Sequence, residues 1–128
     1  MATVLTSAGK AIVTNRIKGA GTEPVFVAIG SGAGTAAVAD TILFTEFTTG
    51  TDPGYARASG TSTQQTTTVT NDTYQVIGTL TAGGAIAVTN AGTFDALTVG
   101  NLFIHGDFAT VNLVNGDSLQ LTVKVQFT

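Results

Sequence analysis

The chain has 128 residues, 43% of them hydrophobic and only 10% charged, with a formal net charge of −3 and no cysteine or tryptophan. This length suits one domain burying about two-thirds of its unfolded surface, and the apolar content excludes wholesale disorder. Five scattered basic residues (Lys10, Arg16, Lys18, Arg57 and Lys124) make no basic stripe for a nucleic acid, and without cysteine there are no disulfides, thiolate chemistry or zinc–cysteine sites.

In chain order, residues 6–18 read as a helix. Thr6 or Ser7 can cap it, Leu5, Ala8, Ala11, Ile12, Val13 and Ile17 give a rough apolar stripe, and Lys18 followed by Gly19 is a stop. Gly9, Thr14 and Asn15 run against that reading. Glu23-Pro24 forces an extended entry into residues 25–29. That run is apolar on both faces, so it reads as a central strand or one covered by the helix. Residues 30–35 form a glycine loop. Residues 36–47 are mostly apolar, with Asp40 or Thr41 placed to cap a short helix, and residues 48–54 are turn-rich around Asp52-Pro53-Gly54.

From residue 55 onward strands dominate: 55–60, 62–70, 73–81, 85–89, 92–96, 102–108, 110–114 and 119–128. Segment 62–70 has threonine and glutamine on both faces, so it is an exposed strand or pairs with another chain. Asn71-Asp72, Gly83-Gly84, Gly100-Asn101 and Asn115-Gly116-Asp117 supply turns. In segment 73–81, Tyr74, Val76 and Leu80 share a face. The final segment alternates Leu119, Leu121, Val123, Val125 and Phe127 with Gln120, Thr122, Lys124, Gln126 and Thr128, which gives one dry face and one wet face. The fold class that follows is mainly β: an antiparallel β-sandwich or jelly-roll-like barrel with one N-terminal helix. Residues 1–20 are expected as a helical arm and residues 25–128 as the sandwich, in a single domain.

Reactive chemistry is hard to find. The loop Gly30–Gly34 follows a strand but lacks the lysine of a phosphate-binding loop, and Thr35 stands where a dinucleotide loop needs a third small residue. His105 is the lone histidine, and Asp107 shares its face on a strand, so a dyad is geometrically allowed. No activated serine stands beside them. The eight acids fall mostly at turns, with no tight cluster for a metal. The expectation is no enzyme, no catalytic residue, no metal site, no cofactor and no small-molecule substrate. No segment has the length of a membrane span, and residues 1–13 lack the pattern of a secretory signal. Ile42, Leu43, Phe44, Phe47 and Tyr55 flank turn-rich sequence. They either pack their loop onto the core or cover a neighbouring subunit, and as aromatic and aliphatic anchors they are the candidate interface. Sparse charge, with 25 threonines on the surface positions, protects weakly against self-association.

The order of several short motifs carries a resemblance. Leu5-Thr6-Ser7-Ala8-Gly9-Lys10-Ala11 is followed by Val27-Ala28-Ile29-Gly30-Ser31-Gly32 and Ala39-Asp40-Thr41, then Thr70-Asn71-Asp72-Thr73-Tyr74-Gln75-Val76, Asn90-Ala91-Gly92-Thr93-Phe94-Asp95-Ala96, and the run from Phe108 through Asn115-Gly116-Asp117-Ser118-Leu119. This resembles the small β-rich virion proteins of tailed bacteriophages, which serve as capsid cement (decoration) proteins or as tail and fibre components. Asn90 departs from the pattern, which has a charged residue there. The resemblance implies a virion structural protein assembled in the host cytoplasm, associating with itself as a homotrimer and with the major capsid protein or another virion subunit. It implies no catalytic residues. A tail, baseplate or fibre attachment component is the alternative. A carbohydrate-binding β-sandwich ranks third, because only Tyr55 and Tyr74 could form its aromatic platform.

Overall fold

In the computed structural model, which describes residues 1–48 and 56–128, the alternating segments pair into two antiparallel sheets. In chain order the elements are β1 (Thr3–Leu5), α1 (Ser7–Ile17), β2 (Phe26–Gly30), β3 (Ala58–Ser59), β4 (Thr61–Gln65), β5 (Thr73–Thr81), β6 (Ile86–Phe94), β7 (Leu102–Leu113) and β8 (Ser118–Gln126). One sheet runs β1-β7-β6-β2-β3 and the other β4-β5-β8. The two sheets stay separate and face each other, so the architecture is a sandwich and not a closed barrel. The turn-rich segment 48–54 falls, from residue 49 onward, outside the described residues, as does Tyr55 at the head of the expected strand 55–60.

Strand β2 shows why its residues are apolar on both faces. Val27 and Ile29 point between the sheets and meet Val76 and Leu80 of β5 and Val88 of β6. Gly78 makes this contact possible, because a Cβ there would run into the Val27 side chain. Phe26 and Ala28 face the other way, into a second cluster with Leu43, Phe94 and Leu102. β2 is therefore central, as expected, but its outer cover is the segment 36–47 and not the helix. The short helix expected in that segment is absent. Asp40 accepts from the Ala37 N–H at 2.8 Å and closes a turn, while the Phe44 and Phe47 N–H groups donate to Asn90 Oδ1 (3.0 Å) and the Ile29 carbonyl (3.0 Å). Backbone groups engaged with β2 and β6 cannot also build an intrahelical ladder.

Helix α1 begins at the expected cap: the Thr6 hydroxyl accepts from the Gly9 N–H at 2.9 Å and donates to the Leu102 carbonyl at 2.6 Å. It ends at Lys18, with Gly19 at φ 91°. Gly9, a weak helix former, is needed for packing, since a Cβ there would lie well inside contact distance of the Phe103 carbonyl. Ile12 packs on Phe103 and Ile104, closing one end of the sandwich. The buried stripe is narrower than the sequence suggests, because Ile17 is 82% exposed. Within residues 1–20, β1 pairs with β7 through Thr3↔Gly106, Val4↔His105 and Leu5↔Ile104.

Two pairs of expected strands are each one continuous strand. Segments 85–89 and 92–96 belong to β6, and 102–108 and 110–114 belong to β7. The β6–β7 register slips between Val88 and Asn90 and again between Thr93 and Phe94, where Phe103 is the extra residue. Each bulge shifts the period of two, so the alternation reads as broken although the ladder continues. β4 is shorter than expected and ends at Gln65. Residues 66–72 then wrap around the Asp72 carboxylate, which accepts from the N–H groups of Thr67, Thr68 and Val69 at 2.8, 2.9 and 3.0 Å.

Candidate functional site: a clamped loop and an open edge

The outer face of the five-stranded sheet carries His105, Asn90 and Asp107, because β6 and β7 pair Gly92↔His105 and Asn90↔Asp107. His105 is fully buried. Its Nδ1 lies 2.7 Å from Asp40 Oδ2 and its Nε2 lies 3.1 Å from Asn90 Oδ1. The orientation of the Asn90 amide is fixed by the chain: Oδ1 accepts from the Phe44 N–H at 3.0 Å and Nδ2 donates to the Phe44 carbonyl at 3.0 Å. Both ring nitrogens thus face oxygens of the chain itself. Phe44 covers the imidazole with ring centroids 4.6 Å apart.

This cluster is built to hold, and a reactant cannot reach it. A general base must come within hydrogen-bond reach of a substrate proton, and here both nitrogens are spent on protein oxygens. Asp107, the partner expected from spacing, is used elsewhere. Its Oδ2 accepts from the Ala36 N–H (2.7 Å) and its Oδ1 from the Ala2 N–H (3.2 Å). Those two N–H bonds, set against partial desolvation, hold its carboxyl below the usual carboxylate range. The glycine loop is spent in the same way, with the Ser31 and Gly32 N–H groups donating to the Thr45 and Phe44 carbonyls. Among the described residues no three His, Cys, Asp or Glu side chains gather in a group that could hold a metal.

Arg57 is a second fastening. Its guanidinium forks onto Glu46 (Nε to Oε2 2.7 Å, Nη2 to Oε1 3.0 Å) and donates through Nη1 to the Ala96 and Val99 carbonyls at 2.9 and 2.6 Å. It also lies 3.5 Å over the Phe94 ring. A planar fork can satisfy this many acceptors at once, which an ammonium cannot. The His105–Asp40 and Arg57–Glu46 pairs together pin residues 36–47 across the sheet.

The candidate interface residues divide accordingly. Leu43 and Phe47 are buried in the chain's own clusters and Phe44 is half-buried on His105. Ile42 alone of the four described residues stands out into solvent, 69% exposed, and Tyr55 lies outside the described residues. Sequence reasoning missed Asn90, the Asp40 pairing and the Arg57 clamp. The one signal was Asn90 itself, a residue type depleted in strands.

Two other features remain open. A groove of about 400 Å³ runs beside α1, lined by Ile12, Val13, Ile17, Pro24, Tyr74 and Phe103. At its rim the Tyr74 hydroxyl donates to Glu23 Oε1 at 3.1 Å, and burial, then the Glu23 charge, pushes the phenol pKa up. The second feature is the small sheet, whose edges β4 and β8 each pair, among the described residues, only with β5. No helix among the described residues is long and apolar enough to cross a membrane. No protein-family model matches the chain, and no curated protein sequence matches it.

Proposed function

We propose that this protein is a structural subunit of a bacteriophage virion, acting as a capsid cement protein that bridges and stabilises major capsid subunits. What supports the reading most is the contrast between a buried, internally satisfied polar cluster and unpaired sheet edges on a surface poor in charge. Unpaired edges are templates for pairing with other chains, and soluble monomers ordinarily blunt them with charge, proline or bulges. β8 carries a single charge, Lys124, and no proline. A ligand that binds only the assembled shell stabilises it by mass action, in proportion to the logarithm of its concentration over its dissociation constant. The choice of a phage shell rests on the sequence resemblance to tailed-phage virion proteins. Cryo-electron microscopy of particles from the parent virus tests it. Density for this chain at capsomer junctions is the expected outcome. Density confined to the tail moves the function to an attachment component, and absence from the particle overturns both.

A further inference from the structure

The free edge of β8 has a defined hydrogen-bonding phase. In an antiparallel pair, alternate residues bond both ways to the partner, and the residues between them aim N–H and C=O to the opposite side. The Phe127 N–H donates to the Asp72 carbonyl at 2.9 Å and the Ala82 N–H to the Asp117 carbonyl at 2.7 Å, one at each end of the β5–β8 ladder. With the register running from Thr73↔Gln126 to Thr81↔Ser118, the odd-numbered residues of β8 bond to β5. Ser118, Gln120, Thr122, Lys124 and Gln126 therefore aim their backbone groups at the open edge. Leu119, Leu121, Val123 and Val125 point toward the other sheet yet are only half-buried.

We propose that β8 pairs antiparallel with β8 of a second copy about a two-fold axis at Thr122, merging the two small sheets into one. This deepens the reading above as an assembly subunit, and rests on it only in taking the chain to work in several copies. Three observations favour a second copy in this register. First, every residue with free edge groups meets another such residue: Ser118 opposite Gln126, Gln120 opposite Lys124, Thr122 opposite itself. The whole strand is used, for about ten backbone hydrogen bonds. Second, the apolar row continues across the axis, with Leu119 beside Val125 and Leu121 beside Val123, so each copy covers what the other leaves half open. The polar edge β4 offers only Ser62 and Gln64 on that face. Third, Lys124 meets Gln120, whereas sliding the axis to residue 124 would oppose the two lysines, and like charges directly opposite destabilise a pair. A two-fold contact closes on itself, while β8-to-β4 pairing is head-to-tail and makes rings or filaments.

The test is sedimentation equilibrium of the full chain from low micromolar to sub-millimolar concentration. A dimer is expected. Gln120→Lys places a like charge opposite Lys124 twice and should weaken it roughly three- to tenfold at low salt. Gln120→Glu should tighten it by a similar factor, an effect that fades in high salt. Thr122→Pro removes an N–H aimed at the edge and none from the β5 ladder, so it should leave a folded monomer whose circular-dichroism melt matches that of the wild type diluted below its dimer dissociation constant. A chain that stays monomeric, a trimer, or a dimer indifferent to both Gln120 variants overturns the proposal. Co-sedimentation with virus particles separates the two readings. A dimer of this behaviour that binds no particle sinks the cement function and leaves the pairing. A particle-bound chain that remains monomeric does the reverse.

Discussion

The outer face of the large sheet and the free edge of the small one use polar residues to opposite ends. On the outer face, His105, Asn90, Asp40 and Arg57 spend their hydrogen bonds inside the chain, and segment 36–47 is fastened down by them. On β8, polar side chains face water, and the backbone groups of those same residues have no strand partner among the described residues. The difference teaches that polarity alone does not mark a surface for binding. What matters is whether the donors and acceptors are already satisfied. Changes on the clamped face should cost stability, and changes on the edge should cost association.

The largest effect is expected at Arg57, whose side chain is 7% exposed against 15% for Glu46. Arg57→Ala strands the Glu46 carboxylate and two carbonyls, and urea melts should show a loss of about 3–5 kcal/mol. Arg57→Lys should recover less than half of it, since one ammonium cannot span the fork. Next is His105→Leu, which leaves Asn90 and Asp40 without their shared partner. A loss of about 2–4 kcal/mol is expected by the same melts, with Asp40 softened by its partial exposure. Gly9→Ala should destabilise by about 1–3 kcal/mol through collision with the Phe103 carbonyl. Helix propensity alone would raise stability by about 1 kcal/mol, so the sign of the change checks the close approach.

The smallest effect belongs to Asp72, at the end of the small sheet. Its carboxyl is held below the ordinary range chiefly by the Val69 and Thr67 N–H groups. A depressed folded pKa means that the contribution is complete above the unfolded value of about 3.9 and is lost as pH falls toward the folded value. The gap in thermal midpoint between the wild type and Asp72→Asn should therefore be steady at neutral pH and shrink below about pH 4. A gap that persists unchanged into acid would place the effect in geometry and not in charge.

Legibility in the sequence followed the distance over which each element is determined. The cap at Thr6, the stop at Lys18 and Gly19, and strand 73–81 depend on neighbours in the chain, and all three were readable. The slips at Phe103 and at residues 108–110 of β7, which stand opposite the single Thr89 of β6, arise from register between strands, so β6 and β7 looked like four short pieces. Asp40 reads as a helix cap because the histidine that claims it lies 65 residues away. Leu43 and Phe47 look like loop anchors until β2 supplies the surface they cover. The candidate site suffered most, because satisfied and unsatisfied polar groups have identical letters.

The Thr6 hydroxyl caps its own helix and donates to a carbonyl 96 residues later. During synthesis, then, the first strand and the helix leave the ribosome with nothing to close on. Neither β1 nor the packed face of α1 can form until β7 has emerged, and the long loop closure that joins them falls late in folding. Until that closure β1 and the α1 face that carries Ile12 stay uncovered, so this part of the fresh chain is exposed to wrong partners while the strands from β2 to β7 are made.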